Sequence, residues 1–210
     1  MLKILIADDH PVVRRGVRQV LSEEPDMGTF GEAQNSQEVL QLVKQNDWDV
    51  VVLDITMPGR GGIDILRELK RERPKLPVLI LSVHPEDQYA VRALKAGAAG
   101  YITKESVTNE LVEAIRKVLK GGRYVSASLA ERLALRLGED ISRPVHEALS
   151  NREYQVMILI ASGKRLGEIA EGLSLSVKTI STYRQRILEK MKMRNNSELI
   201  RYAIKHGFVS

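Results

Sequence analysis

Hydrophobic and polar positions alternate between two patterns over residues 1–120. Short apolar runs occupy Leu2–Ala7, Val50–Leu53 and Val78–Leu81, with weaker ones at Met27–Ala33 and Ala99–Ile102. They are rich in Val and Ile and lack polar alternation, as strands covered on both faces do. Between them lie helical spacings. Val12, Val13, Val17, Val20 and Leu21 mark the first, Val39, Leu40 and Val43 the second, and Ile63, Leu66 and Leu69 the third. Val91 and Leu94 mark the fourth, and Leu111, Ile115, Val118 and Leu119 the fifth. Strands alternating with helices predict an α/β flavodoxin-like unit, a doubly wound five-stranded parallel sheet, over residues 1–122. Gly121-Gly122 closes it, and residues 123–147 read as a linker carrying one short helix (Leu129, Leu133, Leu137) before Gly138 and Pro144.

Residues 148–210 show helical periodicity only. Ser150 with Glu153 fits a capping box, Val156–Ala161 ends at Gly163, and a short helix holds Ile169 and Ala170. After Leu173-Ser174-Leu175, Ser176 can cap a longer helix to about Met191, and Asn195 with Glu198 can cap the last. A short helix, a tight turn and a longer capped helix predict a helix-turn-helix in a small all-α domain of four helices. Charge sharpens this reading. The chain carries 32 Lys/Arg against 27 Asp/Glu, but residues 149–210 hold 11 against 5, while residues 1–122 hold 17 against 18. A basic module on a near-neutral body suggests a polyanion partner, although charge alone is equally compatible with a solvated surface.

Composition removes several classes. With 0 Cys there are no disulfides, thiolate metal sites or cysteine catalysis, and a reducing, cytoplasmic location is expected. No aliphatic run approaches the ~18 residues of a membrane span. The start is too short and acidic for a signal peptide, so no membrane partner is expected. Aromatics at 4% argue against a single-strand stacking surface. No glycine-rich turn follows the first strand, which excludes a dinucleotide site.

Ligands of open parallel sheets bind beyond the carboxyl ends of the strands. Here strand one leads into Asp8-Asp9, strand three ends in Asp54, strand four in Ser82, and strand five runs into Lys104. Three neighbouring carboxylates repel one another, and a divalent cation relieves this; oxygen ligands without Cys or clustered His point to Mg²⁺. A metal-bound carboxylate beside Lys and Ser fits phosphoryl transfer to an aspartate. Asp54 is then the nucleophile, Mg²⁺ and Lys104 balance charge, and Ser82 bonds a phosphoryl oxygen. His10 and His84 lack companion ligands and read as surface or capping residues.

These residues carry a resemblance. Asp8-Asp9, Asp54-Ile55-Thr56-Met57-Pro58…Gly62, Ser82, Tyr101 and Lys104 resemble the receiver domain of two-component response regulators. Leu149-Ser150-Asn151-Arg152-Glu153, Gly163, Glu168-Ile169-Ala170, Leu173, Ser176, Lys178-Thr179-Ile180, Ile187, Lys190-Met191 and Glu198-Leu199 resemble the LuxR-type helix-turn-helix. The whole chain is thus similar to NarL/FixJ-type response regulators. The resemblance implies phosphorylation of Asp54 by a partner sensor histidine kinase, with Mg²⁺ held by Asp9, Asp54 and the Thr56 backbone carbonyl, and Asp8 as an indirect acidic-pocket member. Ser82 and Tyr101 form the implied switch, leading to a homodimer on activation. Besides its own phosphorylation and slow hydrolysis, no enzyme activity is expected. A phosphohydrolase of the haloacid-dehalogenase type would need a second Asp where Thr56 stands, and room for a cap insertion.

For the second module, the resemblance puts Ser181, Thr182 and Gln185 at base-contacting positions. Lys178, Thr179, Arg184, Lys190 and Lys192 suit phosphate contacts, which position a helix without reading sequence. Ile180 and Ile187 face inward by spacing, with Val177 near them. The last helix, with Leu199, Ile200, Ala203 and Ile204, resembles the family's dimerisation helix, which implies double-stranded DNA with an inverted-repeat site. Two positions depart from the family pattern: Glu105 stands where Pro often follows the Lys, and Tyr183 where His is common.

Overall fold

The computed structural model describes residues 1–57, 61–83, 86–137 and 144–209. Pro58, His84 and Gly138, named in the sequence reading, lie outside the described residues. The chain divides into two compact units, Met1–Leu133 and Ala134–Ser210.

In the first unit, β1 (Leu2–Ala7), β2 (Met27–Ala33), β3 (Val50–Asp54), β4 (Val78–Ser82) and β5 (Gly100–Thr103) form one parallel sheet in the order β2-β1-β3-β4-β5. Helices α1 (Pro11–Ser22), α2 (Ser36–Gln45), α3 (Gly62–Glu72), α4 (Glu86–Lys95) and α5 (Val107–Leu119) connect and cover it. The expected α/β class holds. Strands β3 and β4 are buried along their whole length, which is why they read as unbroken apolar runs. Edge strand β2 is buried only at its two ends, which explains its faint signal.

Alternation along the strands sorts the core. Ile4, Ile6, Val50, Val52, Leu79, Leu81 and Ile102 pack with Val17 and Leu21 of α1 and Leu111, Ile115 and Val118 of α5. The residues alternating with them, Leu5, Val51, Leu53, Ile80 and Tyr101, are equally buried and project to the opposite face. Burying side chains of this size contributes roughly 1.5–3 kcal/mol each against conformational entropy, and the resulting rigidity holds the strand ends in place.

The first unit runs past Gly122. Tyr124 donates its amide to the Ala99 carbonyl at 2.9 Å and accepts from the Tyr101 amide at 3.1 Å, while Leu129 is buried. The start of the expected linker is therefore bonded to the sheet edge, and α6 (Ala127–Leu137) supplies the expected short helix.

The second unit contains α7 (Asn151–Ala161), α8 (Leu166–Gly172), α9 (Val177–Met191) and α10 (Asn196–Lys205), preceded by a 3-10 turn at Val145–Ala148. Its caps follow the sequence. Ser150 and Glu153 make a full capping box, Ser176 accepts from the Thr179 amide, and Asn195 accepts from the Glu198 amide. Ser174 takes φ 53° in the turn between α8 and α9, and Gly163 takes φ 82° after α7. No described helix is long and apolar enough to cross a membrane.

Candidate functional site

The acidic pocket lies at the carboxyl ends of β1, β3 and β5. Register pairs Ala7 with Leu53, which sets Asp8 beside Asp54, and pairs Ser82 with Thr103, directly before Lys104. Asp8, Asp54 and Ser82 are each 0% exposed, an arrangement a fold accepts only where the charges have partners. Lys104 supplies one: its Nζ lies 2.7 Å from Asp54 Oδ2 and 2.6 Å from Asp8 Oδ2. Burial alone pushes the Lys104 ammonium down, but the two carboxylates outweigh it and hold it above its ordinary value of 10.5. The other Asp54 oxygen, Oδ1, accepts from the Thr56 amide at 2.7 Å and the Thr56 hydroxyl at 2.6 Å. Gly62, at the start of α3, sits so tightly on Ile55 that an added Cβ would fall 2.3 Å from its Cα. That contact fixes the chain just after Asp54.

The pocket fits a hard divalent cation. Asp8, Asp9, His10 and Asp54 each offer a ligand atom, all within 4.8 Å of one another. Asp8 Oδ2 is met by the Lys104 ammonium at 2.6 Å, and Asp9 Oδ1 lies 2.9 Å from His10 Nδ1. Clustered carboxylate oxygens are what a cation of octahedral oxygen preference requires.

Asp8, Asp9, Asp54, Thr56 and Lys104, all expected at the site, meet there. Ser82 ends the adjacent strand, and Tyr101 is wholly buried on β5. Every described peptide bond is trans, that between Lys104 and Glu105 included. Two residues were missed in the sequence. His10 was expected at the surface or as a cap, and its side chain is 65% exposed, but it makes no cap hydrogen bond and instead lies 2.9 Å from Asp9 Oδ1 and 3.3 Å from Asp8 Oδ1. Arg14 is buried in α1, donating to the Asp8 carbonyl at 2.8 Å and to Glu32 at 3.0 Å, which ties the pocket turn to β2. An arginine three residues before Val17, on the inward face of the α1 pattern, was the available signal.

In the second unit, Ile180, Ile187 and Met191 of α9 are buried, while Lys178, Ser181, Thr182 and Gln185 are exposed on the other side. Thr179 and Arg184 are half-buried, Arg184 donating to Asn196 Oδ1 at 2.7 Å. Lys192 is exposed and closes α9 with φ 55°. Two expectations, those on Val177 and on the α10 surface, need correction. Val177 does not join the inward face; it is 51% exposed, because it sits at the first helical position beyond the core-facing stripe. Lys190, an expected phosphate contact, pairs with Glu153 Oε2 at 2.6 Å while its side chain stays 42% exposed. Leu199 and Ala203, expected at a dimer surface, are 0% exposed within the module's own core, leaving half-buried Ile200 and exposed Ile204 on the outer side of α10.

Comparison with known proteins agrees with this architecture. Residues 4–116 match the response regulator receiver domain, and residues 147–203 match the luxR family of bacterial regulatory proteins. The chain is 38% identical over 210 residues to the response regulator GacA of Pseudomonas aeruginosa, covering 100% of this chain and 98% of that one. It is 36% identical over 208 residues to the response regulator UvrY of Escherichia coli, covering 99% and 95%. Among solved structures it is similar to RcsB of Salmonella enterica serovar Typhimurium bound to promoter rprA in the presence of the phosphomimetic BeF3⁻, with 27% identity, a TM-score of 0.66, and 96% and 98% of the two chains covered. It is also similar to a LuxR-family two-component response regulator from Aurantimonas, with 36% identity and a TM-score of 0.61, covering 65% of this chain and 98% of that one. The buried carboxylate pocket and the capped helix-turn-helix each fall within one of these matches, and the chain belongs to the two-component response regulators with a LuxR-type DNA-binding domain.

Proposed function

We propose that the protein is a transcription regulator whose hold on DNA is switched by Mg²⁺-dependent phosphorylation of Asp54. The observation carrying this is the pairing of buried Asp54 with Lys104 at 2.7 Å, in a cluster with the Asp8 and Asp9 carboxylates. A sensor histidine kinase donates the phosphoryl group. An Asp54 oxygen attacks phosphorus, the P–N bond of the phosphohistidine breaks, and the imidazole leaves with a proton. Asp54 Oδ2 faces Lys104, which stays charged and follows the growing negative charge on the phosphoryl oxygens. Thr56 holds Oδ1 in a fixed orientation through two hydrogen bonds. Asp9, Asp54 and the Thr56 carbonyl would hold Mg²⁺, with Asp8 as an indirect member of the acidic pocket; when bound, the cation would screen repulsion between the carboxylates and the incoming group.

The Ser82 hydroxyl and the Tyr101 ring then carry the change outward, and two copies of the chain associate. Exposed Ser181, Thr182 and Gln185 read base edges, while Lys178, Thr179, Arg184, Lys190 and Lys192 approach phosphates on an inverted-repeat duplex in the cytoplasm. In this reading Lys190 must exchange Glu153 for a phosphate, or serve only to brace α9 against α7. Incubation with acetyl phosphate and Mg²⁺, followed by intact-mass measurement, tests the chemistry. The expected result is one added phosphoryl group on the native chain and none on Asp54→Asn. Equal incorporation by both would overturn the assignment of Asp54.

A further inference from the structure

We propose that Arg14 is a positioning residue: its buried guanidinium, anchored by Glu32, fixes the peptide that joins Asp8 to Asp9 and so sets how tightly the pocket binds Mg²⁺. This rests on the pocket holding Mg²⁺ through Asp9, as proposed above.

The guanidinium is committed on two sides. Its Nη1 donates to the Asp8 carbonyl at 2.8 Å, and its Nε donates to Glu32 Oε2 at 3.0 Å. The Arg14 side chain is 7% exposed and that of Glu32 35%, so the cation is sunk in the protein while its counter-charge reaches solvent. A guanidinium is costly to desolvate and is kept inside only where its bonds are made. Here two charged residues serve one peptide carbonyl, which a water or a neutral donor would satisfy as well. That carbonyl lies in the peptide plane that leads into Asp9. Asp8 is held at its other atoms too: its amide donates to the Ala33 carbonyl at 3.1 Å, Oδ1 accepts from the His10 amide at 2.8 Å, and Oδ2 meets Lys104 at 2.6 Å. Asp9 is looser, with its side chain 27% exposed, and the direction of its carboxylate depends on the plane that Arg14 holds.

Charge and position act with opposite signs. A positive charge behind the carboxylates repels Mg²⁺, so removing it as a charge alone tightens binding. A tether that aims Asp9 raises affinity, so removing it weakens binding, and partners behind metal ligands are typically worth about 10–100-fold in metal affinity. Glu32, 3.0 Å away, offsets the Arg14 charge and leaves position as the larger effect. Asp54 takes its bonds from Lys104 and Thr56, so Arg14 acts on the cation and not on the nucleophile. Lysine is no substitute, since it lacks the planar fork that reaches a carbonyl and a carboxylate together.

Calorimetric titration of the full chain with MgCl2 tests this on the native protein, Arg14→Gln, Arg14→Lys and Arg18→Gln. Arg18 is 59% exposed and 3.6 Å from Glu32, so it carries the same charge close by but faces Glu32 rather than Asp8. Urea unfolding followed by Trp48 fluorescence establishes that each variant is folded, and R14K carries the test if R14Q is not. The expected result is a Mg²⁺ affinity about tenfold or more weaker in R14Q and R14K and native in R18Q. Phosphoryl incorporation from acetyl phosphate should then need correspondingly more Mg²⁺ in the Arg14 variants, yet reach the native maximal rate once the cation saturates. Unchanged affinity in a folded Arg14 variant would overturn the proposal and make Arg14 a structural brace. Tightened affinity in R14Q would overturn it in favour of charge, and a lower maximal rate at unchanged affinity would move its action to Asp54. A native chain that binds no Mg²⁺ would overturn the cation reading itself, whereas equal binding by the native chain and R14Q would overturn the role of Arg14 alone.

Discussion

Replacing Lys104 by Ala tests how the pocket is held together. The ammonium lies 2.6 Å from Asp8 Oδ2 and 2.7 Å from Asp54 Oδ2, with the three side chains 12%, 1% and 0% exposed. Removing one partner of a buried pair costs ~3–5 kcal/mol. Here the loss is smaller, because Asp54 keeps its two bonds from Thr56 and the pocket mouth admits water beside half-buried Asp9. We expect about 2–3 kcal/mol, which at a urea slope of about 2 kcal/mol per molar lowers the midpoint by roughly 1 M. The single Trp, Trp48, lies in the first unit, so its fluorescence reports unfolding of that unit alone. Magnesium should return much of the loss in the variant, since a ligand at ~100 times its Kd contributes ~2.7 kcal/mol. The pH dependence follows from the direction of the Lys104 shift. A raised folded-state value means that its contribution is complete below the ordinary 10.5 and disappears only as pH rises through the raised value. The gap between native protein and variant should thus be flat near neutrality and close above pH 10.5. A midpoint unchanged within about 0.2 M, or a loss that magnesium leaves untouched, would refute the reasoning.

Glu153→Gln keeps an oxygen for the Ser150 amide, at 2.7 Å, but removes the charge 2.6 Å from Lys190. With Lys190 42% exposed, the expected cost is about 0.5–1 kcal/mol, and the freed Lys190 should steepen the salt dependence of DNA binding by about one unit of slope. Burial opposes ionisation of Glu153, yet Lys190 and Ser150 hold it below its ordinary 4.5. Its contribution is therefore present above pH 4.5 and lost as pH falls through the depressed value, a loss that circular dichroism should show in the native chain and not in the variant. Gly62→Ala drives a Cβ to 2.3 Å from Ile55 Cα, so overpacking should cost about 1–3 kcal/mol and slow phosphoryl incorporation; a native melting temperature would contradict this. On α10, Ile204→Lys, at a 55% exposed position, should weaken dimerisation on DNA while leaving thermal stability unchanged. Leu199→Ala, at a 0% exposed one, should cost about 2–5 kcal/mol in a melt.

The parallel sheet was legible because β1, β3 and β4 are covered on both faces and show as continuous apolar runs that stop at Asp8, Asp54 and Ser82. Helix caps were legible too, since Ser150, Ser176 and Asn195 act over three residues of chain. What sequence spacing hid were relations made by tertiary packing. His10 beside Asp9 depends on a rotamer at the turn after β1. Arg14 reaching Glu32 spans α1 and β2, and Lys190 meeting Glu153 spans α9 and α7. The two sides of α10 could not be ordered either. Leu199, Ile200, Ala203 and Ile204 form one apolar band in sequence, and only the packing of α10 on α7 decides which of them are consumed by the core.

Whether the N-terminal pocket governs DNA binding is most directly read from a mobility shift with genomic fragments, run with and without a small-molecule phosphodonor on the native chain and on Asp54→Ala. The account predicts that the phosphodonor tightens binding by the native chain and has no effect on the variant. Equal shifts in all four lanes would contradict it.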